Sequence, residues 1–237
     1  LTVTPEDVRV LVMDTDLTPD GGPTTASRQT YVTGNATRLA AQTLRGAIAA
    51  FLAETHNATP EMVTFTDGSV QVKDQIYTFA EIAKQMKSAG QQPLACARYD
   101  APKTQPLGTG GDMHFAYSYS AQAAEVEVNR FTGEVTVLNV ISANDVGMAI
   151  NPLGLQGQIE GGVMMGIGHC LTEEFILEEG VVVTDYLARY RIPGIMLTPE
   201  ITSIIIEDPA ADGPYGAKGV GEICSIPTPP AITNAIY

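Results

Sequence analysis

Cysteine and basic side chains are both scarce in this chain. The three cysteines, Cys96, Cys170 and Cys224, are odd in number and widely spaced, with no CxxC pair. That excludes a disulfide framework and a zinc or iron–sulfur motif, and reduced thiols in a cytoplasmic protein are the expectation. Lys and Arg number 13 against 27 Asp and Glu, a net charge of −14. A broad basic surface for nucleic acid or anionic lipid is excluded by that balance, and the acidity reads as a solubility feature. No run of about 18 apolar residues occurs, so no transmembrane helix is expected. The first residues show no basic stretch followed by an apolar run, as a secretory signal would. His56, His114 and His169 have no partner at helical ligand spacing, and neither a GxSxG elbow nor a papain-like cysteine motif is present. Histidine-based metal binding and nucleophilic hydrolysis therefore lack support.

What is present is the material of a folded core. Of 237 residues, 44% are hydrophobic and 17% charged, which excludes disorder along the whole length and allows one or two domains. Val8 to Met13 reads as a strand, and Asp14 to Thr25 as a loop rich in Pro, Asp and Gly. Apolar residues in steps of three and four from Val32 to Leu52 predict a long helix over about Ser27 to Glu54, with Ser27 or Thr25 able to cap it. A hairpin is expected around Asp67-Gly68, then a short helix from Thr78 to Lys87 stopped by Gly90. Alternation over Ala121 to Val128, a turn at Thr132-Gly133 and the run Val135 to Ile141 give a second hairpin. Asn151-Pro152 opens another helix, Ile201 to Ile206 is a buried strand, and a last helix starts within Pro227 to Pro230. Strands and helices mix without a regular β-α-β rhythm, so the expected class is α+β, mixed sheets packed with long helices. The chain opens at Leu1 and stops at Tyr237 inside a helical pattern, so residues 1–237 read as a piece of a longer polypeptide.

Three segments carry chemistry. In the helix after Pro152, Leu155, Ile159, Val163, Ile167 and Leu171 recur every four residues, yet Gly157, Gly161, Gly162, Gly166 and Gly168 are threaded among them. Each such glycine costs about 1 kcal/mol relative to alanine, so a neighbouring helix or a large ligand must come close to that backbone. Gln158, in Gly157-Gln158-Ile159-Glu160-Gly161, offers an amide to a ring system or simply faces solvent. Thr25-Ala26-Ser27 places hydroxyls and free N–H groups at a helix start, suited to phosphate or a polar ring edge, or to ordinary capping. Asp14 and Asp16 have no third ligand at metal spacing. In Tyr215-Gly216-Ala217-Lys218-Gly219-Val220-Gly221-Glu222 the glycines permit tight turns but match neither a P-loop nor GxGxxG. A carboxylate there is either an exposed turn residue or, if desolvated, a general base with a raised pKa.

Taken in register, these segments and the stretches Ala124-Glu125-Val126-Glu127-Val128 and Asp145-Val146-Gly147 with Asn151-Pro152 resemble the molybdenum hydroxylases, the xanthine dehydrogenase and aldehyde oxidase family. The resemblance covers essentially the whole chain and implies the C-terminal portion of the molybdopterin-binding region. It implies that Glu222 is the general base activating a water-derived oxygen toward an electron-poor carbon of an aromatic heterocycle or an aldehyde. Gln158 corresponds to the glutamine that hydrogen-bonds the pterin, and Thr25, Ala26 and Ser27 to the loop holding the pterin and its phosphate tail. Lys218, Gly219, Val220 and Gly221 shape the turn bearing the base. The implied cofactor is molybdenum-molybdopterin, plain or in its cytosine dinucleotide form. The implied partners are the remaining molybdopterin-binding segment and iron–sulfur and flavin subunits or domains, which would carry the 2Fe–2S clusters and FAD. A non-catalytic binding or assembly module, or a cofactor-free acid–base hydrolase using Glu222, are the alternatives. The family's upstream glycine-rich and Arg-Gly-Phe-type motifs are not found in this sequence. Purified alone, the chain is therefore expected to hold no stoichiometric molybdenum and to turn over no heterocycle; metal analysis and a hydroxylation assay check this.

Overall fold

A computed structural model describes all residues, 1–237, and divides into two compact units. The first comprises Leu1–Pro23 and Val32–Ala101; the second comprises Thr24–Tyr31 and Pro102–Tyr237.

In the first unit, most of helix α1 (Gln29–Thr55) accompanies a sheet of β1 (Val63–Thr66), β2 (Ser69–Val72) and β3 (Gln75–Thr78), followed by α2 (Phe79–Ser88). The β1–β2 hairpin pairs Thr66 with Ser69 across Asp67-Gly68, both at positive φ, the left-handed pair that a two-residue turn of matching twist requires. Thr78 and Glu81 form a reciprocal cap at the start of α2: the Glu81 N–H donates to Thr78 Oγ1 at 3.2 Å, and the Thr78 N–H donates to Glu81 Oε2 at 2.8 Å. The core is Leu52 from α1, Val70 and Val72 from β2, and Ile82 and Met86 from α2, all buried. The expected strand over Val8 to Met13 does not form. Val10, Leu11, Val12 and Met13 are exposed, and no strand edge pairs with them. An apolar run becomes a strand only where another edge accepts its backbone groups.

The second unit is built on a three-stranded sheet. Strands β4 (Ser120–Val128) and β5 (Val135–Asp145) are antiparallel. Helix α3 (Pro152–Leu171) follows, then the two-residue strands β6 (Leu177–Glu178) and β7 (Val181–Val182) and the single-turn α4 (Leu187–Tyr190). The chain then returns as β8 (Glu200–Ile206), parallel to β5, and ends in α5 (Thr228–Ile236). A β-α-β crossover therefore exists where the sequence shows no such rhythm, because an irregular stretch separates α3 from its returning strand. Asn151 caps α3 by accepting the Gly154 N–H at 3.0 Å, with Pro152 as the first helical residue. Val137 and Val140 of β5 pack with Val163 and Ile167 of α3 and Ile232 of α5. The mixture of sheets and helices is α+β, as expected.

This packing ranks the thiols. Cys96 is exposed, Cys170 is half-buried with its thiol pKa pushed up by burial, and Cys224 is buried and pushed up to about 11. Alkylation of the native protein should label Cys96 first, Cys170 slowly and Cys224 only on unfolding, since the thiolate is the reactive form. Peptide mass mapping over time is the measurement; early labelling of Cys224 would contradict the packing described.

Candidate functional site

The helical start predicted at Ser27 is displaced to Gln29, because Ala26 and Ser27 both adopt left-handed backbone, with φ of 52° and 53°. That conformation turns the Ser27 side chain toward the segment 219–222. Ser27 Oγ accepts the N–H groups of Gly221 and Glu222, each at 3.1 Å, and its own hydrogen goes to Glu222 Oε2. The Ala26 N–H donates to Glu222 Oε1 at 2.9 Å. Two glycines make this approach possible: a Cβ on Gly219 would run into the Ser27 carbonyl, and one on Gly221 would sit 2.8 Å from Ser27 Oγ.

Glu222 is exposed at the head of a single 3-10 turn, Glu222–Cys224. Of the two readings open in the sequence, the exposed turn residue is the one found, and the desolvated carboxylate with a raised pKa is not. The Ser27 hydroxyl first, then backbone N–H groups including that of Ala26, hold its pKa below the ordinary glutamate value, and the small desolvation does not offset them. The carboxylate is thus an anion at neutral pH. Its contacts contribute in full above the ordinary glutamate range and fade as the pH falls through the lowered value.

Lys218 lies beneath the turn rather than beside Glu222. Its ammonium is buried, 2.5 Å from Asp145 Oδ2 and 3.6 Å from Asp208 Oδ2. Burial pulls its pKa down, but the two carboxylates outweigh that and raise it. The Lys218 N–H donates to the Val146 carbonyl at 2.9 Å, and Asp145 Oδ1 accepts the Gly147 N–H at 3.0 Å. Lys218 and Asp145 therefore clamp the glycine-rich loop to the end of β5. In sequence Asp145 stands out only as part of a motif; its pairing with a lysine 73 positions away is not visible there.

A groove of about 550 Å³ opens above this framework, with Thr24, Thr25, Gly157, Gln158, Gly161 and Glu222 on its walls. Ser27, Val220 and Gly221 also line it. Ala26 and Gly219 line an adjoining hollow on the other side of Glu222. Gln158 Nε2 stands 3.5 Å from the Gly221 carbonyl, so helix α3 and the turn that carries Glu222 meet at the groove. Segments about two hundred positions apart in sequence thus converge.

The helix glycines divide by face. A Cβ on Gly162 would lie 2.5 Å from Cys224 Cβ, and one on Gly166 would lie 2.8 Å from Thr228 Oγ1 and 2.9 Å from the Ser225 carbonyl oxygen. Those two glycines admit the chain segment that carries Glu222. Gly157 and Gly161 meet no atom within 4 Å and face the groove. Close approach of protein accounts for Gly162 and Gly166, while Gly157 and Gly161 are left open to the groove.

The groove suits a large planar, polar cofactor. Its helix wall carries Gly157, Gly161 and Gly162 beside Gln158 and Met165, and the Gln29 amide and the hydroxyls of Thr24 and Thr25 face it from the other segment. No group of three or more His, Cys, Asp or Glu residues could hold a metal ion, so a metal placed here must arrive with its own ligand.

Comparison with known proteins agrees with this fit. The family model of the molybdopterin cofactor-binding domain matches residues 1–199. The chain belongs to that family. It is 34% identical over 233 residues to a probable xanthine dehydrogenase subunit from Bacillus subtilis, covering 98% of this chain and 31% of the relative. It is 34% identical over 241 residues to the gamma subunit of the 6-hydroxypseudooxynicotine dehydrogenase complex of Paenarthrobacter nicotinovorans, covering 100% of this chain and 30% of that protein. The crystal structure of the aldehyde oxidoreductase from Desulfovibrio desulfuricans superposes with a TM-score of 0.76 at 30% identity, over 95% of this chain and 22% of that one. The molybdopterin-binding family is thus that of the molybdenum hydroxylases, and the chain spans about a third or less of the length of these relatives.

The division of the α3 glycines gives a direct contrast. Gly162→Ala should destabilise by about 1–3 kcal/mol through overpacking. Gly161→Ala should be neutral or stabilising by up to about 1 kcal/mol through helix propensity. Thermal unfolding of the two variants side by side is the check; equal destabilisation would contradict the division.

Proposed function

We propose that this chain is the C-terminal portion of the molybdopterin-binding region of a molybdenum hydroxylase, and that Glu222 is its general base. The substrate would be an aromatic heterocycle, purine-like, or an aldehyde. The supporting observation is the convergence of Thr25, Ser27, Gln158 and Glu222 on one groove whose helix wall includes Gly157, Gly161 and Gly162. Bound there, a molybdenum-molybdopterin cofactor would supply the two-electron oxidation and the water-derived oxygen.

The chain's own residues would do the following. Gln158 would hydrogen-bond the pterin edge, and Gly157 and Gly161 would let its face lie against α3. Thr25, Ala26 and Ser27 would hold the pterin and the phosphate tail, in the plain or cytosine dinucleotide form. Lys218, paired with Asp145, would stiffen the loop 218–221 so that Gly219, Val220 and Gly221 present Glu222 at the groove. Glu222, ionised at neutral pH, would accept the proton released as oxygen is activated. To do so it must give up or share the hydrogen bonds from Ser27 and Ala26, which favour its anionic form. Electrons would leave through iron–sulfur and flavin partners carried on other domains or subunits.

The decisive experiment is Glu222→Gln in the assembled enzyme. Size is kept and the proton acceptor is removed, so kcat at matched molybdenum content should fall by about 10²–10⁴-fold. Near-equal kcat values would leave Glu222 only a scaffolding role.

A further inference from the structure

Behind Glu222, on the side away from the groove, lies a run of hydrogen-bonded side chains that the site described above does not use. Ser120 Oγ donates to Asn144 Oδ1 at 2.8 Å, and Asn144 Nδ2 donates to Ser142 Oγ at 2.9 Å. Gln122 Nε2 donates to the same Ser142 Oγ at 2.9 Å and to the Cys224 carbonyl at 2.8 Å. Thr228 Oγ1 donates to Gln122 Oε1 at 2.7 Å. Ser142, Asn144, Cys224 and Thr228 are all buried. The run begins on the sheet and ends on the segment that carries Glu222.

Gln122 is the only member that touches both. Both hydrogens of its amide and its carbonyl oxygen are engaged, so its orientation is fixed by its partners. Its contact with the Cys224 carbonyl falls two residues after Glu222, at the close of the same 3-10 turn. Its contact with Thr228 falls at the first residue of α5. Cys224 is pressed from the opposite side against Gly162 of α3. The turn is thus held between a helix that supplies close packing and a glutamine that supplies the matching donor. The Thr228 hydroxyl, 3.4 Å from the same carbonyl, is its other donor, so loss of Gln122 would leave the carbonyl to Thr228 alone and let the turn shift toward it.

We propose that Gln122 is a positioning residue for Glu222: it fixes the height of the Glu222–Cys224 turn above the sheet and so the place of the carboxylate in the groove. This rests on the reading of Glu222 as the base. Gln122 lines neither the groove nor the adjoining hollow, so it acts through the turn and not on a bound molecule.

The test uses Gln122→Leu in the assembled, full-length enzyme, which keeps the bulk and removes every polar atom of the amide. Gln122→Asn, one methylene shorter and still polar, serves if the leucine variant does not fold. Hydrogen exchange is followed at the amides of Ser225, Ile226 and Thr228, whose acceptors are the Glu222 and Ser225 carbonyls. Exchange there should speed up about tenfold or more, with distant amides of the first unit unchanged. At matched molybdenum content, kcat should fall roughly ten- to hundred-fold with KM little altered, as expected when a reacting group is displaced but binding contacts remain. Unchanged exchange overturns the proposal. So does faster exchange with unchanged kcat in an enzyme that Glu222→Gln inactivates. If Glu222→Gln itself leaves kcat unchanged, the base reading falls, and the exchange result alone decides whether Gln122 holds the turn.

Discussion

One hydroxyl group, that of Ser27, is the tie on which the groove depends. It accepts two backbone N–H groups from the glycine-rich loop and gives its hydrogen to the carboxylate that follows them. All of its bonding capacity is spent between segments 195 positions apart. The left-handed turn at Ala26-Ser27 presents it, and Gly219 and Gly221 lack side chains where it passes. Lys218 and Asp145 fix the loop just before the tie, and Gln122 fixes the turn just after it. Charge is handled differently at the two ends. The ion pair is buried and complete, whereas Glu222 stands in reach of solvent and keeps its charge through neutral donors.

That arrangement bears on how a base can work here. Burial would have made Glu222 more basic and less often ionised. Hydrogen bonding does the reverse, giving an acceptor that is almost always ready but intrinsically weak. The balance shifts only if a bound group competes for Ser27 or Ala26. Under the proposed function, the loop that would grip a cofactor also holds the Glu222 carboxylate, so occupation of the groove would be coupled to the basicity of Glu222 through one serine.

Local features are legible in the sequence wherever they depend on a few adjacent residues. Asp67-Gly68 names its own hairpin, Asn151-Pro152 its helix start, and Ile201 to Ile206 its strand, although the expected burial of that strand is not found, since Ile204 and Ile206 are exposed. The glycines of α3 announce close approach, though not that Gly162 and Gly166 admit protein while Gly157 and Gly161 stay open. The site segments stand out as a set because their order matches a family. Features that depend on distant partners are not readable. The parallel return of β8 beside β5, the loss of a strand at Val8 to Met13 and the pairing of Lys218 with Asp145 all depend on which surface is within reach. The direction of the Glu222 shift belongs to the same group, since it follows from a serine far away in the chain. Gln122 is in phase with Val126 and Val128, so the alternation places it on the inward face, but nothing in the sequence names the Cys224 carbonyl and Thr228 as its partners.

The parallel pairing of β5 with β8 has a consequence for how the molecule comes into being. Such a pairing forms only after a long intervening stretch has been brought round, and closing long loops slows folding. The Ser27 tie spans an even longer loop, and its second half is synthesised 195 residues after its first. The first unit completes its own core from residues numbered below 102, well before that moment. All residues of the first unit are thus made while the groove is still in two separate pieces. Any large prosthetic group that needs both walls of that groove can enter only once residue 222 has emerged, into a chain whose first unit has already been made in full.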